Sequence, residues 1–215
     1  MSINRRDFLG TLGVGSMAAA IPAVPNEQPA PLNQTWDMSW VESVKGKYRA
    51  VFDSPAFSDG AGLFRAEFWR SEYKEVYGTP ASDMSPVVVV RHEGIWLAMN
   101  DEFWKKYSVG KRQKFKNGET KQWYDRNPIA TTAPGSPPEF DVNVAKFISQ
   151  GGVILACGLA FQGVVGVVAK QDKISKEEAD KTARKYLLPG VILQPSGVFA
   201  VLRAQEAGCH YILAS

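Results

Sequence analysis

Val87-Val88-Val89-Val90 is a run of four β-branched residues with no polar residue among them. β-branched side chains favour strands, and a strand without polar alternation needs cover on both of its faces. Strands of this kind occur in the middle of parallel sheets, where helices pack on either side. The stretch therefore predicts a buried central strand, and the flanking sequence predicts what surrounds it.

Short apolar runs and longer helical patterns alternate on both sides of this strand, which is typical of an α/β sheet with crossover helices. The predicted strands cover residues 48–52, 87–90, 153–157, 191–195 and 209–213. The predicted helices cover residues 63–77, 95–107, 141–150 and 197–207, with two more from residues 158 and 175. Crossovers of this length favour parallel neighbours joined in the right-handed sense. We expect a three-layer α/β sandwich with a five-stranded, mainly parallel sheet of flavodoxin-like or Rossmann-like topology.

The composition of the 215 residues, 45% hydrophobic and 22% charged, is that of a globular chain and excludes disorder. Lys and Arg number 25 against 22 Asp and Glu, and this formal net charge of +3 gives a nucleic-acid role little support. The two cysteines and two histidines contain no CxxC or HxxxH spacing, so a closely spaced zinc site is excluded. No residue pattern predicts a cofactor or a metal.

The N-terminus contains the string Arg5-Arg6-Asp7-Phe8-Leu9 and then an uncharged apolar stretch that ends at Val24. This arrangement resembles a twin-arginine export signal, and its glycines make it weakly hydrophobic for a permanent membrane anchor. We expect a signal peptide over residues 1–25, a mature N-terminal extension over 26–46 and the α/β domain over 47–215. The predicted location is the periplasm, without a permanent membrane span.

Residues 108–140 are the least regular part of the chain and are predicted to be an insertion in the α/β domain. Asn117-Gly118, between Phe115 and Trp123, predicts a hairpin with a tight primed turn. The basic run over 111–116 is interpreted as the solvated face of that hairpin.

Chemistry is expected at the carboxyl edge of the sheet, where loops lead into helix N-termini. Asp53, His92, Cys157 and Gln194 each end or follow a predicted strand, so these four residues should share that edge. Cys209 starts the last strand and belongs at the opposite edge. A five-residue strand spans roughly 16 Å, and a disulfide needs Cα atoms within about 7 Å, so a disulfide between the two cysteines is disfavoured.

Cys157 is the main catalytic candidate, because a thiol at the start of a helix is placed where the thiolate is favoured. His92 is a candidate base or hydrogen-bond partner for it. Asp53, Gly158 and Gln194 are candidate substrate-binding residues, with Gly158 allowing close approach to the backbone. The alternatives are a cysteine buried for packing and a histidine bonded to a loop carbonyl.

Four stretches carry a family resemblance: residues 47–53, residues 87–94 with His92 before Gly94, residues 152–158 with Cys157, and residues 196–212. In this order they resemble the DsrE/DsrF-like family of small sulfur-relay proteins, in its exported branch. The resemblance implies a parallel five-stranded sheet, a homo-oligomer of trimer or hexamer type, and a sulfur-carrier partner protein. It also places Cys157 at the position where some members carry sulfur as a persulfide. The 108–140 insertion is larger than in compact members, and Cys209 stands where a tyrosine or apolar residue is usual.

The sequence therefore predicts an exported DsrE-like protein that acts in sulfur relay or thiol and persulfide chemistry through Cys157. The alternative, from a different functional class, is a noncatalytic periplasmic module that binds a small ligand or serves in assembly.

Overall fold

A computed structural model of the protein describes residues 35–118, 120–132 and 141–215. The predicted signal peptide over residues 1–25 lies outside the described residues, as do residues 26–34 of the predicted extension. The proline-rich end of the predicted insertion, residues 133–140, lies outside them as well.

The described residues form one five-stranded sheet in the order β4-β3-β2-β1-β5, and every neighbouring pair of strands is parallel. The strands are β1 (Tyr48–Ser54), β2 (Met84–Val90), β3 (Val153–Cys157), β4 (Val191–Gln194) and β5 (His210–Leu213). The predicted α/β fold class is confirmed. Strand β2 lies in the centre and all of its residues are buried, as the run of valines predicted.

Helices connect these strands along the chain. They are α1 (Trp40–Ser43), α2 (Ala61–Tyr77), α3 (Asp101–Lys106), α4 (Val109–Gln113), α5 (Val144–Ser149), α6 (Gly158–Asp172), α7 (Lys176–Arg184) and α8 (Gly197–Glu206). Helix α7 begins with a capping box in which Ser175 and Glu178 each accept a backbone N–H.

The prediction of a single helix over residues 95–107 is wrong, because the chain forms a 3₁₀ helix and a separate α-helix there. A 3₁₀ helix covers His92–Ala98, and α3 starts separately after Asn100. The Asn100 side chain accepts the backbone N–H of Phe103 at 2.9 Å and thereby caps α3. An apolar periodicity that runs through both elements does not reveal this cap.

Side chains of the central strands alternate between two apolar clusters, one on each face of the sheet. Phe52, Val88, Val90 and Ile154 belong to the larger cluster, which includes side chains of α2, α3, α5, α6 and α7. Val51, Val87, Val89 and Leu155 belong to the smaller cluster, which includes side chains of α1 and α8. Helices therefore cover both faces of the sheet in a three-layer arrangement.

The handedness of the crossovers explains which helices lie on which face. The chain moves from β1 through β2 and β3 to β4 in one direction across the sheet, and then returns past β1 to place β5. Right-handed crossovers in one direction put their helices on one face, and reversal of the direction puts the last helix on the other. Helix α8 therefore packs on the second face of the sheet, together with α1.

The predicted hairpin in the insertion is present, but its predicted primed turn is wrong. Lys116 pairs with Trp123 in an antiparallel bridge. A type I′ turn needs positive φ at both central residues, and neither Asn117 nor Gly118 has positive φ. The Asn117 side chain instead accepts the backbone N–H of Thr120 at 2.8 Å, so the loop is longer than two residues.

The compact unit of the described chain begins at Trp36, ahead of the predicted domain start at residue 47. Trp40 is buried against the sheet in the smaller apolar cluster. Within the ranges that the structure describes, no helix is both long and apolar enough to cross a membrane.

Because the sheet lies between two layers of helices, a cavity made at one of its buried side chains should lower the free energy of unfolding strongly. Leu155 in β3 is fully buried, and we expect Leu155→Ala to lower the free energy of unfolding by about 2–5 kcal/mol. Leu202→Ala makes the same change on α8 at a side chain that is 54% exposed, and its effect should stay within about 0.5 kcal/mol. Urea unfolding followed by circular dichroism measures both, and equal losses in the two variants would contradict the described core.

Candidate functional site

A cleft of about 740 Å³ opens at the carboxyl edge of the sheet, beside the ends of β3 and β4. Strand β3 leads into α6 on one face of the sheet, whereas β4 leads into α8 on the other. Adjacent parallel strands whose connections leave to opposite faces create a crevice, and such crevices are the usual ligand sites of open α/β sheets. The cleft is lined by the first turns of α6 and α8 and by the segment that follows β2.

Cys157 is one of the residues that line this cleft. It is the last residue of β3 and the N-cap of α6, and its Sγ accepts the backbone N–H of Ala160 at 3.4 Å. The residue is 7% exposed, and the exposed part faces the cleft that it lines. The thiol is therefore placed beside the positive end of a fifteen-residue helix, as predicted.

Arg91 follows β2 and lines the same cleft. Its Nε and Nη2 donate to the two carboxylate oxygens of Asp53 at 2.8 and 2.9 Å. The Tyr211 hydroxyl donates to the same carboxylate at 2.9 Å. The Asp53 side chain is 3% exposed and that of Arg91 is 31% exposed, so a buried carboxylate holds a partly exposed guanidinium in a fixed bidentate orientation.

The charge of Arg91 is coupled to Cys157 as well as to Asp53. The hydrogen bonds to Asp53 raise the pKa of Arg91, and this effect outweighs the lowering that burial causes. Electrostatic interactions with Asp53, Tyr211 and Cys157 act in the same upward direction. Arg91 therefore stays protonated in the cleft that Cys157 also lines.

Asp53, a predicted substrate-binding residue, reaches the predicted edge but is fully engaged there. Both of its carboxylate oxygens accept hydrogen bonds from Arg91, and one of them also accepts the Tyr211 hydroxyl. It is not among the residues that line the cleft. What Asp53 does in the structure is orient Arg91.

Gln194 and Gly158, the other two predicted substrate-binding residues, contact the N-terminal segment of the same chain. The Gln194 Nε2 donates to the Asp37 carbonyl at 2.8 Å. A Cβ added at Gly158 would lie 2.7 Å from the Gln194 carbonyl oxygen and 3.2 Å from the Trp36 ring. Glycine is therefore required here for packing between α6, β4 and the segment at Trp36, and neither residue lines the cleft.

His92 is exposed and lines the same cleft as Cys157. Its φ of 51° lies in the left-handed region, which few residues other than glycine adopt. Among the described residues, no hydrogen bond joins His92 to Cys157. The structure thus brings the predicted pair to one cleft without placing them in direct contact.

Arg91, Tyr211 and Ser196 are site residues that the sequence interpretation missed. Arg91 directly precedes His92 at the end of a strand, so the edge rule that selected His92 also applies to it. Ser196 lines the cleft and caps α8 by accepting the backbone N–H of Phe199 at 3.0 Å. Tyr211 gives no such signal, because its link to Asp53 depends on β5 lying beside β1.

Cys209 lies at the opposite end of the sheet, as predicted, and both cysteines are free thiols. It directly precedes β5 and is buried in the smaller apolar cluster. Burial raises the pKa of the Cys209 thiol to about 11, although nearby Arg49 acts in the opposite direction. Cys209 is therefore protonated at neutral pH, and it lies in a closed apolar cluster, whereas Cys157 lines an open cleft.

The arrangement defines an α/β protein with a cysteine-containing cleft at the carboxyl edge of a parallel sheet. Within the described ranges, no group of three or more His, Cys, Asp or Glu side chains could hold a metal ion.

No family model matches the sequence, and no curated protein matches it.

One solved structure that matches is MTH1491, a protein of unknown function from Methanobacterium thermoautotrophicum. It shares 17% sequence identity with this chain, and the match covers 77% of this chain and 98% of that one, with a TM-score of 0.42.

The raised pKa of Cys209 predicts a pH dependence of stability. A thiol whose pKa is higher in the folded chain than its ordinary value of 9.0 stabilises the fold below pH 9 and loses that contribution as the pH rises towards 11. Wild type should therefore lose more stability than Cys209→Ala between about pH 8 and about pH 10.5. Urea midpoints at the two pH values measure this, and parallel losses in both proteins would contradict the assignment.

Proposed function

We propose that the protein is an exported sulfur-relay protein of the DsrE/DsrF-like type, in which Cys157 accepts and passes on a sulfur atom. The observation that carries the proposal is the placement of Cys157. Its thiol caps the N-terminus of α6 and lines an open cleft that is also lined by Arg91, whose guanidinium Asp53 holds in place. Reactive cysteines in proteins typically occur at helix N-termini and near basic side chains.

The proposed reaction is a thiol exchange without net oxidation or reduction. The Cys157 thiolate attacks the outer sulfur of a donor persulfide, and a new S–S bond forms at Cys157. The S–S bond of the donor breaks, and the donor leaves as a thiolate with the electron pair of that bond. Attack by an acceptor thiolate on the terminal sulfur then transfers the sulfur atom and regenerates the Cys157 thiolate.

The open cleft supports both steps of the proposed transfer, the uptake of a sulfur atom by Cys157 and its release to an acceptor. It is open to solvent at the exposed side chains of Leu159 and Val198, so a donor and then an acceptor can approach in turn. The persulfide anion on Cys157 would lie near the Arg91 guanidinium and the first turns of α6 and α8. Positive partial charges at helix N-termini stabilise such an anion without a covalent partner.

The remaining parts of the proposal concern location and assembly. The Arg5-Arg6 string supports export by the twin-arginine route to the periplasm. The resemblance of residues 47–215 to the family supports a homo-oligomer of trimer or hexamer type and a sulfur-carrier partner protein. The alternative function is a noncatalytic module that binds a small ligand in the same cleft, and the 7% exposure of Cys157 favours it.

Intact-mass spectrometry after incubation with a low-molecular-weight persulfide separates these two functions. Wild type should gain the mass of one sulfur atom on Cys157, and a later excess of acceptor thiol should remove it. Cys157→Ser should gain nothing, whereas Cys209→Ser should behave like wild type because Cys209 is buried and protonated.

A folded wild-type protein that gains no sulfur under these conditions would overturn the proposed relay. Gain of sulfur on Cys209 as readily as on Cys157 would also count against it, because the cleft would then have no special role. In either case, the noncatalytic binding module becomes the better account of the cleft.

A further inference from the structure

We propose that Arg91 selects anionic sulfur donors for Cys157, which makes the substrate class of the cleft a small sulfur compound with its own negative charge. The inference rests on the proposed function, because it concerns the donor that reaches the Cys157 sulfur. It goes further than that function by assigning the choice of donor to one residue.

The geometry of the Arg91 pair leaves one side of the guanidinium available. Nε and Nη2 donate to Asp53, whereas Nη1 has no hydrogen-bond partner among the described residues. A guanidinium has five N–H donors in a rigid plane, so a side-on pair with one carboxylate leaves the Nη1 donors free for a second anion. Because Arg91 lines the cleft, that anion can be a ligand there.

The position of Arg91 is determined by close packing in addition to the ion pair. A Cβ added at Gly197 would lie 2.6 Å from both Cβ and Cδ of Arg91, so the Arg91 stem runs directly over the first residue of α8. The Tyr211 hydroxyl also donates to this carboxylate, at the oxygen that accepts the Arg91 Nη2. Because packing and the buried Asp53 already restrict the Arg91 side chain, this side chain loses little conformational entropy when it binds an anion.

The Asp53 carboxylate offsets part of the Arg91 charge but does not line the cleft, and the remaining charges around the cleft are exposed. Glu93 and His92 also line the cleft, and both are exposed to water, which screens their effect on a ligand. Arg91 is less exposed than either, and it lines the same cleft as Cys157. The apolar rim at Leu159 and Val198 offers no charge of its own. The chemistry of the lining thus favours donors such as thiosulfate or a carboxylate-bearing persulfide over neutral ones.

Two alkylating reagents of nearly equal shape test the charge preference without any sulfur transfer. Iodoacetate and iodoacetamide both form a C–S bond with a thiolate and release iodide, but only iodoacetate carries a negative charge. Peptide mapping gives the rate constant for each reagent at Cys157 separately from Cys209. The ratio of the iodoacetate rate to the iodoacetamide rate is compared between the folded protein and the same chain unfolded in urea.

We expect the folded protein to have a ratio about five to ten times that of the unfolded chain. Arg91→Gln should reduce the ratio well below the wild-type value, because only the helix N-termini of α6 and α8 then remain to favour the anion, and Arg91→Lys should restore part of the loss. Arg184→Gln is the matched control, because Arg184 forms an ion pair with Asp180 at similar exposure but lies outside the cleft. That variant should keep the wild-type ratio.

The outcomes distinguish the inference from the proposed function. If Cys157 of the folded protein reacts with iodoacetamide but shows the unfolded ratio, the role of Arg91 is overturned and the relay remains. If Cys157 reacts with neither reagent in the folded protein, the relay itself is overturned. The comparison of folded with unfolded wild type needs no variant, so a misfolded Arg91→Gln would not prevent the test.

Discussion

Strand β2 is buried on both faces, and the rest of the structure depends on this constraint. A strand of this kind can exist only between two neighbours and two layers of helices, which fixes β1 and β3 beside it. The parallel register then aligns the strand ends, with Ser54 opposite Val90 and Val90 opposite Ala156. The next residues along the chain, Arg91 and Cys157, consequently leave the sheet at one level.

A second constraint is the buried carboxylate of Asp53. A charged group at 3% exposure is tolerated only when it is paired and hydrogen-bonded, and Arg91 and Tyr211 provide those bonds. The same contacts that satisfy the carboxylate hold the guanidinium at the edge of the cleft. The contacts that allow Asp53 to be buried thus also fix the charge that the proposed chemistry uses.

The sequence was sufficient for the parts of the structure that local patterns encode. The valine run predicted the central strand, the alternation of elements predicted the sheet, and the edge rule placed Cys157 and His92 at one cleft. The rule that parallel strands end at a common edge needs no knowledge of strand order. Cys209 was assigned to the far edge by the same reasoning.

Contacts that depend on strand order or on distant segments could not be predicted in this way. The hydrogen bond between Tyr211 and Asp53 exists because β5 lies beside β1. The local sequence around either residue does not indicate that these two strands are neighbours. Gln194 and Gly158 end or follow their strands as expected, but the segment at Trp36 and Asp37 packs against them. The prediction of a tight turn at Asn117 is wrong because the Asn117 side chain accepts the backbone N–H of Thr120, which favours a longer loop.

Asp53 acts on the cleft through Arg91, and a double-mutant cycle of these two residues tests this link. The measured quantity is the ratio of iodoacetate to iodoacetamide rate constants at Cys157, determined for Asp53→Asn in the wild-type and in the Arg91→Gln background. We predict that Asp53→Asn lowers the ratio in the wild-type background and leaves it unchanged when Arg91 is already absent. An equal effect of Asp53→Asn in both backgrounds would show that the two residues act independently and would contradict the account.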